Sequence, residues 1–322
     1  MDYSLWRLRL TMLGTLALVI GASTLFLAVV LTYLGGFDIV TMLVLVVAFS
    51  LVQWLVGPYM ISAMYRVREV PDNQLTDVHG MLQSICMKAG LKVPKLMLSP
   101  TPAPNAFAYG SPLTGSRVCV TQGLLNTLEP GEVEAVLGHE LGHLKHRDVQ
   151  IMMFVSVLPT IFYYIGWSMM WGGSYGNSRS NNGGSAAAVG ALALAAYFIL
   201  NLLVLGLSRE RELYADRHGA EVVDDGADKL SSALAKLDMY GRRGSSRTAP
   251  SGQAMGFHSL LIVDPDTAGR SAVQYAYSDR DLIEQVANRR ISESEKIFEV
   301  FSTHPNIVKR IRILQAMKLA AR

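Results

Sequence analysis

Four long apolar stretches constrain the fold of this chain more than any other feature. They cover residues 10–34, 39–64, 149–171 and 186–207. A bilayer core about 30 Å thick is crossed by around 20 apolar residues in a helix that rises 1.5 Å per residue. Each stretch reaches that length, and in lipid a helix satisfies its own backbone polar groups. We therefore predict an α-helical membrane protein with four transmembrane helices.

The composition agrees with a membrane location. Only 17% of the 322 residues are charged and the mean hydropathy is +0.27, which is too apolar for an ordinary soluble enzyme. The first stretch is too long for a removed signal peptide and lacks a small-residue cleavage site, so we predict that it is retained. Two cysteines, Cys86 and Cys119, form no C-x-x-C motif, which indicates buried thiols or a reducing compartment.

Cations beside the apolar stretches predict the orientation in the membrane. Four alternating spans would bring all of these cations to one side: Arg7, Arg9, Arg66, Arg68, Lys145, Arg147, Arg209 and Arg211. The other side would hold only a short turn at 35–38 and the loop 172–185, whose single cation is Arg179. Cytoplasmic loops are enriched in Lys and Arg. We therefore predict a multi-pass protein of the cell membrane with both termini and the polar body in the cytoplasm.

The polar segments predict a mixed α+β body. Helical periodicity covers 71–90, and short extended segments follow at 95–98, 106–109 and 117–121, separated by Pro and Gly. They imply a small sheet whose exposed edge could pair with an extended peptide. Further helical patterns cover 281–298 and 307–319, whereas 241–253 has the composition of a loop.

An H-E-x-x-H motif occupies residues His139 to His143. On a helix the two His lie on one face, so both imidazoles can bind one Zn²⁺ while Glu140 faces the position of a bound water. Pro130 favours a helix start ahead of the motif. The alternative is a surface helix with two ordinary His, and the specificity of the motif favours the metal site.

The segment after the fourth apolar stretch offers a third ligand. Catalytic zinc sites usually have three protein ligands, and two His with one carboxylate is a common set. Glu212 and Asp216 are four residues apart and share a helix face. We predict Glu212 as the ligand and Asp216 as the acceptor for the second ring N–H of a ligating His. On pattern alone, an exposed charged helix end explains the segment equally well.

With these residues in place, the chain resembles the HtpX-like integral-membrane zinc endopeptidases, relatives of the CAAX prenyl protease. The resemblance covers the paired spans, the segment Pro104 to Ala108, the H-E-L-G-H helix, Glu212-x-x-x-Asp216 and Thr303-His304-Pro305 with Arg310. It implies a zincin-type catalytic domain with one Zn²⁺ per chain, bound by His139, His143 and Glu212. It further implies that Glu140 activates water, and that Asn105, His304 and Arg310 line the substrate cleft or assist the oxyanion. Ala106 and Phe107 would then contact substrate on the edge strand.

The predicted organisation follows from these assignments. Residues 1–68 form an N-terminal membrane hairpin, 69–148 the first part of the catalytic domain, 149–208 a second hairpin and 209–322 the remaining catalytic part. If the helices at both ends of the second hairpin were unbroken, the zinc would lie roughly 10 Å above the membrane surface. Prenyl proteases have spans that this chain lacks, which favours quality control of misfolded or damaged membrane proteins as the function.

Other functions have weaker support. A catalytically idle, zinc-stabilised scaffold is one alternative, and a transporter with a cytoplasmic regulatory domain is another. Polar residues in the spans are sparse and uncharged, chiefly Gln53 and Asn201, which argues against an ion path. The predicted partners are protein substrates and the lipid bilayer, without nucleic acid, because the basic residues already have a membrane explanation. The ligand set favours zinc but also admits manganese or cobalt, and the oligomeric state stays open.

Overall fold

The computed structural model describes residues 39–171, 183–246 and 278–320. Its helices are α1 Ile39–Met64, α2 Thr76–Ala89, α3 Gln122–Thr127, α4 Pro130–Lys145, α5 Asp148–Trp171, α6 Gly183–Val222, α7 Gly226–Ser246, α8 Asp279–Asn288, α9 Glu293–Val300 and α10 Ile307–Ala320. Its strands are β1 Arg68–Glu69, β2 Lys95–Ser99, β3 Ala106–Ser111 and β4 Gly115–Thr121.

Three of the described helices, α1, α5 and α6, are long and apolar enough to cross a membrane. Helix α1 has the bounds of the second predicted apolar stretch. The first predicted stretch, the turn at 35–38 and most of the loop 172–185 lie outside the described residues. Helix α6 has 40 residues and is about 60 Å long, twice the thickness of a bilayer core. It therefore carries the chain from the apolar region into the polar body.

A four-stranded sheet in the order β1-β2-β4-β3 forms one side of the polar body. Strands β2 and β4 are parallel, and β3 is antiparallel to β4. The three predicted strands are confirmed, and β3 lies at an edge. The sequence did not reveal β1, because its two residues are both exposed and show no apolar alternation.

One hydrophobic core joins the polar segments on both sides of the second membrane hairpin. It contains Leu82 of α2, Val118 of β4 and Leu137 of α4 together with Leu234 of α7 and Leu314 of α10, all fully buried. The halves of the body that are far apart in sequence are therefore packed as one unit around α4.

Three details of the predicted helices are wrong. The helix that carries the motif does not continue into the third span, because α4 ends at Lys145, Arg147 has a left-handed φ of 54° and α5 begins at Asp148. The pattern over 281–298 is two helices, since Ser292 caps α9 through a capping box with Glu295. Residues 241–246, predicted as part of a loop, are helical because α7 continues to Ser246, and the rest of that predicted loop lies outside the described residues.

Candidate metal centre and active site

Helix α4 presents the H-E-x-x-H motif from within the core. Glu129 and Glu132 form a capping box at its start, and Pro130 occupies the first turn, as the sequence indicated. The helix is buried along most of its length, so His139 and Glu140 are only 1% and 4% exposed. Buried side chains of this kind are held in fixed positions by their neighbours.

Two glycines allow α4 and α6 to approach closely beside the motif. A Cβ atom on Gly219 of α6 would lie 2.9 Å from the backbone nitrogen of His139. A Cβ atom on Gly142 of α4 would lie 3.0 Å from Cα of Ala215. Gly219 lies inside α6, where it serves this contact. The close crossing brings the carboxylate of Glu212 to the two histidines.

His139, His143 and Glu212 meet at one point, as predicted. Glu212 Oε2 lies 3.7 Å from His139 Nε2, and Glu212 Oε1 lies 3.3 Å from His143 Nε2. These three residues form the ligand group: among the described residues, theirs are the candidate metal-binding atoms that all lie within 4.8 Å of one another. Tetrahedral ligands bonded at 2.0–2.1 Å are about 3.3 Å apart. The arrangement therefore fits zinc with little movement.

His139 and His143 each have a carboxylate behind the ring. Asp216 Oδ1 lies 3.0 Å from His139 Nδ1, and Asp148 Oδ2 lies 2.7 Å from His143 Nδ1. Such carboxylates fix the tautomer that leaves the other ring nitrogen free for a metal. The sequence predicted the position of Asp216 but missed Asp148. Its only signal was an acidic residue at the start of an apolar span, next to the motif.

Behind Glu212 lies a buried network of polar side chains. His304 Nδ1 is 3.0 Å from Glu212 Oε2, and Arg310 Nη1 is 3.5 Å from the same oxygen. Arg310 also donates two hydrogen bonds to Asp216, at 2.7 and 2.6 Å. Burial opposes the protonated form of His143, but Glu212 outweighs it and the pKa of His143 is raised. The negative charge of these carboxylates therefore attracts a cation to the ligand group.

A cleft of about 320 Å³ opens over the ligand group. Its wall includes Ala106, Phe107 and Ala108 of β3, and His304, as the resemblance implied. Two other predicted cleft residues are placed elsewhere. Arg310 is 1% exposed and bonds beneath the ligand group, and Asn105 is 2% exposed with its backbone bonded to Thr121. Neither residue lines this cleft, and their expected part in substrate or oxyanion binding stays a prediction.

Glu140 connects the ligand group to the sheet. Its Oε2 accepts a hydrogen bond of 2.8 Å from the backbone nitrogen of Ala108. The carbonyl oxygen of Asn105 accepts a hydrogen bond from the backbone nitrogen of Thr121, which sets the register of β3 on β4. Every second residue of β3 therefore bonds to β4, while Ala106 and Ala108, which lie between them, direct their N–H and C=O groups to the other edge. The carboxylate of Glu140 therefore lies beside His139, His143 and Glu212, next to the open edge of the sheet.

The sequence profile described as Peptidase family M48 matches residues 72–318. The chain belongs to this family. The M48 member is accordingly a metalloprotease with membrane helices, and its H-E-x-x-H motif lies in the matched region. Protein substrates and a lipid environment follow from that assignment.

Relatives of this M48 metalloprotease cover nearly its whole length. It is 36% identical to "Protease HtpX homolog 2" of Saccharolobus solfataricus over 98% of both chains. It is 38% identical to "Protease HtpX homolog" of Aeropyrum pernix over 90% of both chains. The protein named "Protease HtpX homolog" of Thermoplasma acidophilum is 36% identical over 88% of this chain and 86% of its own.

The fold is also similar to that of S. mikatae Ste24p, with a TM-score of 0.61 and 16% sequence identity. The alignment covers 96% of this M48 chain, which spans 66% of the length of Ste24p. At this identity the likeness concerns the fold alone. It agrees with the resemblance to HtpX-like and CAAX prenyl proteases that the sequence motifs suggested.

His79, His146 and His218 are not part of the group formed by His139, His143 and Glu212. His146 caps the end of α4, and its ring centroid is 6.2 Å from that of His218. His79 lies 3.9 Å from Asp72 in the polar body. His258 falls outside the described residues.

Proposed function

We propose that this M48 metalloprotease is a zinc-dependent endopeptidase that cleaves misfolded or damaged membrane proteins on the cytoplasmic side of the membrane. The observation that carries the proposal is the convergence of His139, His143 and Glu212 within reach of one metal ion, beside Glu140 and a free strand edge. Two His and one carboxylate form a common catalytic zinc set. Zinc is preferred to a harder metal because imidazole suits it.

The chemistry divides between the metal and this chain's own residues. Zinc bound by the three ligands would act as a Lewis acid and lower the pKa of a water to about 7. Glu140 takes the proton from the attacking water and later gives it to the leaving amine. His304 lies at the cleft wall and offers a ring N–H to the negative charge that develops on the carbonyl oxygen. Arg310 and Asp216 hold Glu212 and His139 in place from beneath.

Strand β3 supplies the binding edge for the substrate. Ala106 offers its backbone N–H and C=O to an added strand, and Ala108 offers its C=O, since the N–H of Ala108 is bonded to Glu140. A peptide bound in this way lies extended beside Glu140 and the ligand group. Cleavage therefore requires an unfolded segment, which is what a misfolded protein provides.

The surroundings of the cleft support membrane proteins as substrates. Val149 and Met152 of α5 and Ser208 of α6 line the cleft together with the ligands. All three belong to, or directly follow, helices able to cross a bilayer. The cytoplasmic side is favoured by the cations beside the spans.

Digestion of casein by the purified full-length protein tests the reaction. Replacing Glu140 by Gln should leave the bound zinc unchanged and abolish cleavage, because only the proton acceptor is lost. Glu134→Gln is the matched control on the same helix, since Glu134 pairs with Lys229 on the surface of α4. Wild-type cleavage should stop with a chelator and return with zinc. Continued cleavage by Glu140→Gln would refute the assignment.

A single substrate made in two forms tests the preference for membrane proteins. The same unfolded segment is attached to a transmembrane anchor or left soluble, and both are incubated with the protease in vesicles. We expect faster cleavage of the anchored form, because it is held at the height of the cleft. Equal rates would contradict the proposed substrate class while leaving the zinc chemistry untouched.

A further inference from the structure

Helix α9 buries two charged side chains and exposes its large apolar ones. Glu295 and Glu299 are buried, at 7% exposure each, while Ile297, Phe298 and Phe301 are 62%, 55% and 55% exposed. A helix on the surface of a soluble body normally turns its apolar face inward. The exposed face of α9 and its C-cap therefore requires an apolar partner.

The buried carboxylates fix α9 in this orientation. Glu295 accepts from Arg289 at 2.5 Å and from the backbone nitrogen of Ser292 at 2.8 Å. Glu299 accepts from Lys309 at 2.7 Å and from the backbone nitrogen of Asn306 at 3.1 Å. Rotating the helix to bury its apolar face would separate Glu299 from Lys309 and Asn306, and Glu295 from Arg289. The exposed apolar face is thus a stable feature of the fold.

The membrane helix α6 holds the C-terminal end of α9. Arg209 Nη1 donates to the carbonyl oxygens of Glu299, Val300 and Ser302, at 2.9, 3.0 and 2.9 Å. Arg209 lies two residues after Leu207, the last residue of the fourth predicted apolar stretch. Two residues of helix and one Arg side chain span about 10 Å. The end of α9 therefore lies within about 10 Å of the edge of the bilayer core, in or directly above the headgroup layer, which adds about 5–8 Å to each side of the core.

We infer that α9 is an interfacial anchor, with Ile297, Phe298 and Phe301 inserted into the lipid surface where α6 leaves the membrane. Its occupant is the bilayer itself, because Arg209 ties the C-terminal end of α9 to the end of a membrane helix. A short helix with a polar inner face and aromatic outer residues is suited to lie in that layer. This inference does not depend on the proposed peptidase chemistry.

Anchoring of α9 has a consequence for the cleft. The segment from Ser302 leads directly to His304, which contacts Glu212 and lines the cleft. Lipid contact on one side and Arg209 on the other then fix the height of this segment above the membrane. The cleft is held at a constant distance from the lipid surface.

A nitroxide label on Phe298→Cys, in full-length protein reconstituted into phosphatidylcholine and phosphatidylglycerol vesicles, tests the contact. Both native cysteines are fully buried, and burial raises the pKa of the Cys86 thiol to about 11, so the new cysteine reacts selectively. Leu319→Cys is the matched control, because Leu319 is 71% exposed beside the N-terminal end of α4, away from α5. Unchanged thermal unfolding in detergent confirms that each labelled protein is folded.

For each label, the measured quantity is the accessibility to dissolved oxygen divided by the accessibility to a water-soluble nickel chelate. We expect this ratio to be several-fold higher for the label at 298 than for the label at 319. Equal access of the nickel chelate to both labels would overturn the inference. Protection of position 298 from both reagents would also overturn it, because a protein surface would then cover α9.

The double variant Phe298→Asn/Phe301→Asn gives a second readout. We expect several-fold slower cleavage of a membrane-anchored peptide, with cleavage of a short soluble peptide unchanged. An equal loss for both peptides would indicate a structural role only and count against the anchor. If the wild-type protein cleaves neither peptide, the proposed function fails, and the accessibility of the label at 298 still decides this inference.

Discussion

Replacing Asp148 by Asn should weaken metal binding without removing any metal ligand. Asp148 Oδ2 lies 2.7 Å from His143 Nδ1, and the carboxylate is only 8% exposed, so water screens the contact poorly. Loss of such a partner typically costs 10- to 100-fold in metal affinity, about 1.4–2.7 kcal/mol. Arg211 forms an ion pair with the same carboxylate and partly neutralises the negative charge that acts on His143. We therefore expect the lower part of the range, about 10- to 30-fold.

The affinity is measured as zinc retained by the purified protein across a series of buffered free-zinc concentrations. Asp72→Asn is the control, because Asp72 also lies near a histidine, at 3.9 Å from His79 Nδ1, but is fully exposed and remote from the ligand group. Saturating zinc should restore peptidase activity in Asp148→Asn. A zinc affinity within two-fold of the wild-type value would refute the argument that this carboxylate orients His143.

Two further substitutions test the interior of the site. Arg310→Met leaves Asp216 buried without its cation and should lower the free energy of unfolding by about 3–5 kcal/mol. The surface control Arg217→Met should unfold at nearly the wild-type temperature, because its ion pair with Glu221 is exposed to water; thermal unfolding in detergent compares the two variants. Gly219→Ala forces apart the backbones of α4 and α6 and should reduce zinc occupancy, measured by metal analysis. Gly80→Ala, with open space around its Cα, should bind zinc like the wild type. Wild-type occupancy in Gly219→Ala would contradict the close crossing of the two helices.

Local sequence patterns predicted the elements whose signals are periodic. The three apolar strands, the capped start of α4 and the second apolar stretch all appear in the structure near their predicted bounds. The meeting of His139 and His143 could also be predicted, because their spacing on one helix face is a local property. Glu212 needed the general expectation of a third ligand, since it is distant in sequence.

The rest depends on tertiary contacts that no local pattern contains. Asp148 reaches His143 only because the chain breaks at Arg147, which has a left-handed backbone. The role expected for Arg310 depended on resemblance. Its hydrogen bond to the buried carboxylate of Asp216 is a tertiary contact that no local pattern indicates. The orientation of α9 was equally hidden, because the inward position of Glu299 follows from Lys309 and its neighbours in another helix.

The zinc-edge X-ray absorption spectrum of the purified full-length protein tests the metal centre most directly. With His139, His143 and Glu212 as ligands, the spectrum should show nitrogen and oxygen neighbours at about 2.0–2.2 Å, with outer scattering from two imidazoles. Glu212→Gln should lose one oxygen neighbour or the metal itself. A sulfur neighbour at about 2.3 Å, or scattering from a single imidazole, would contradict the account.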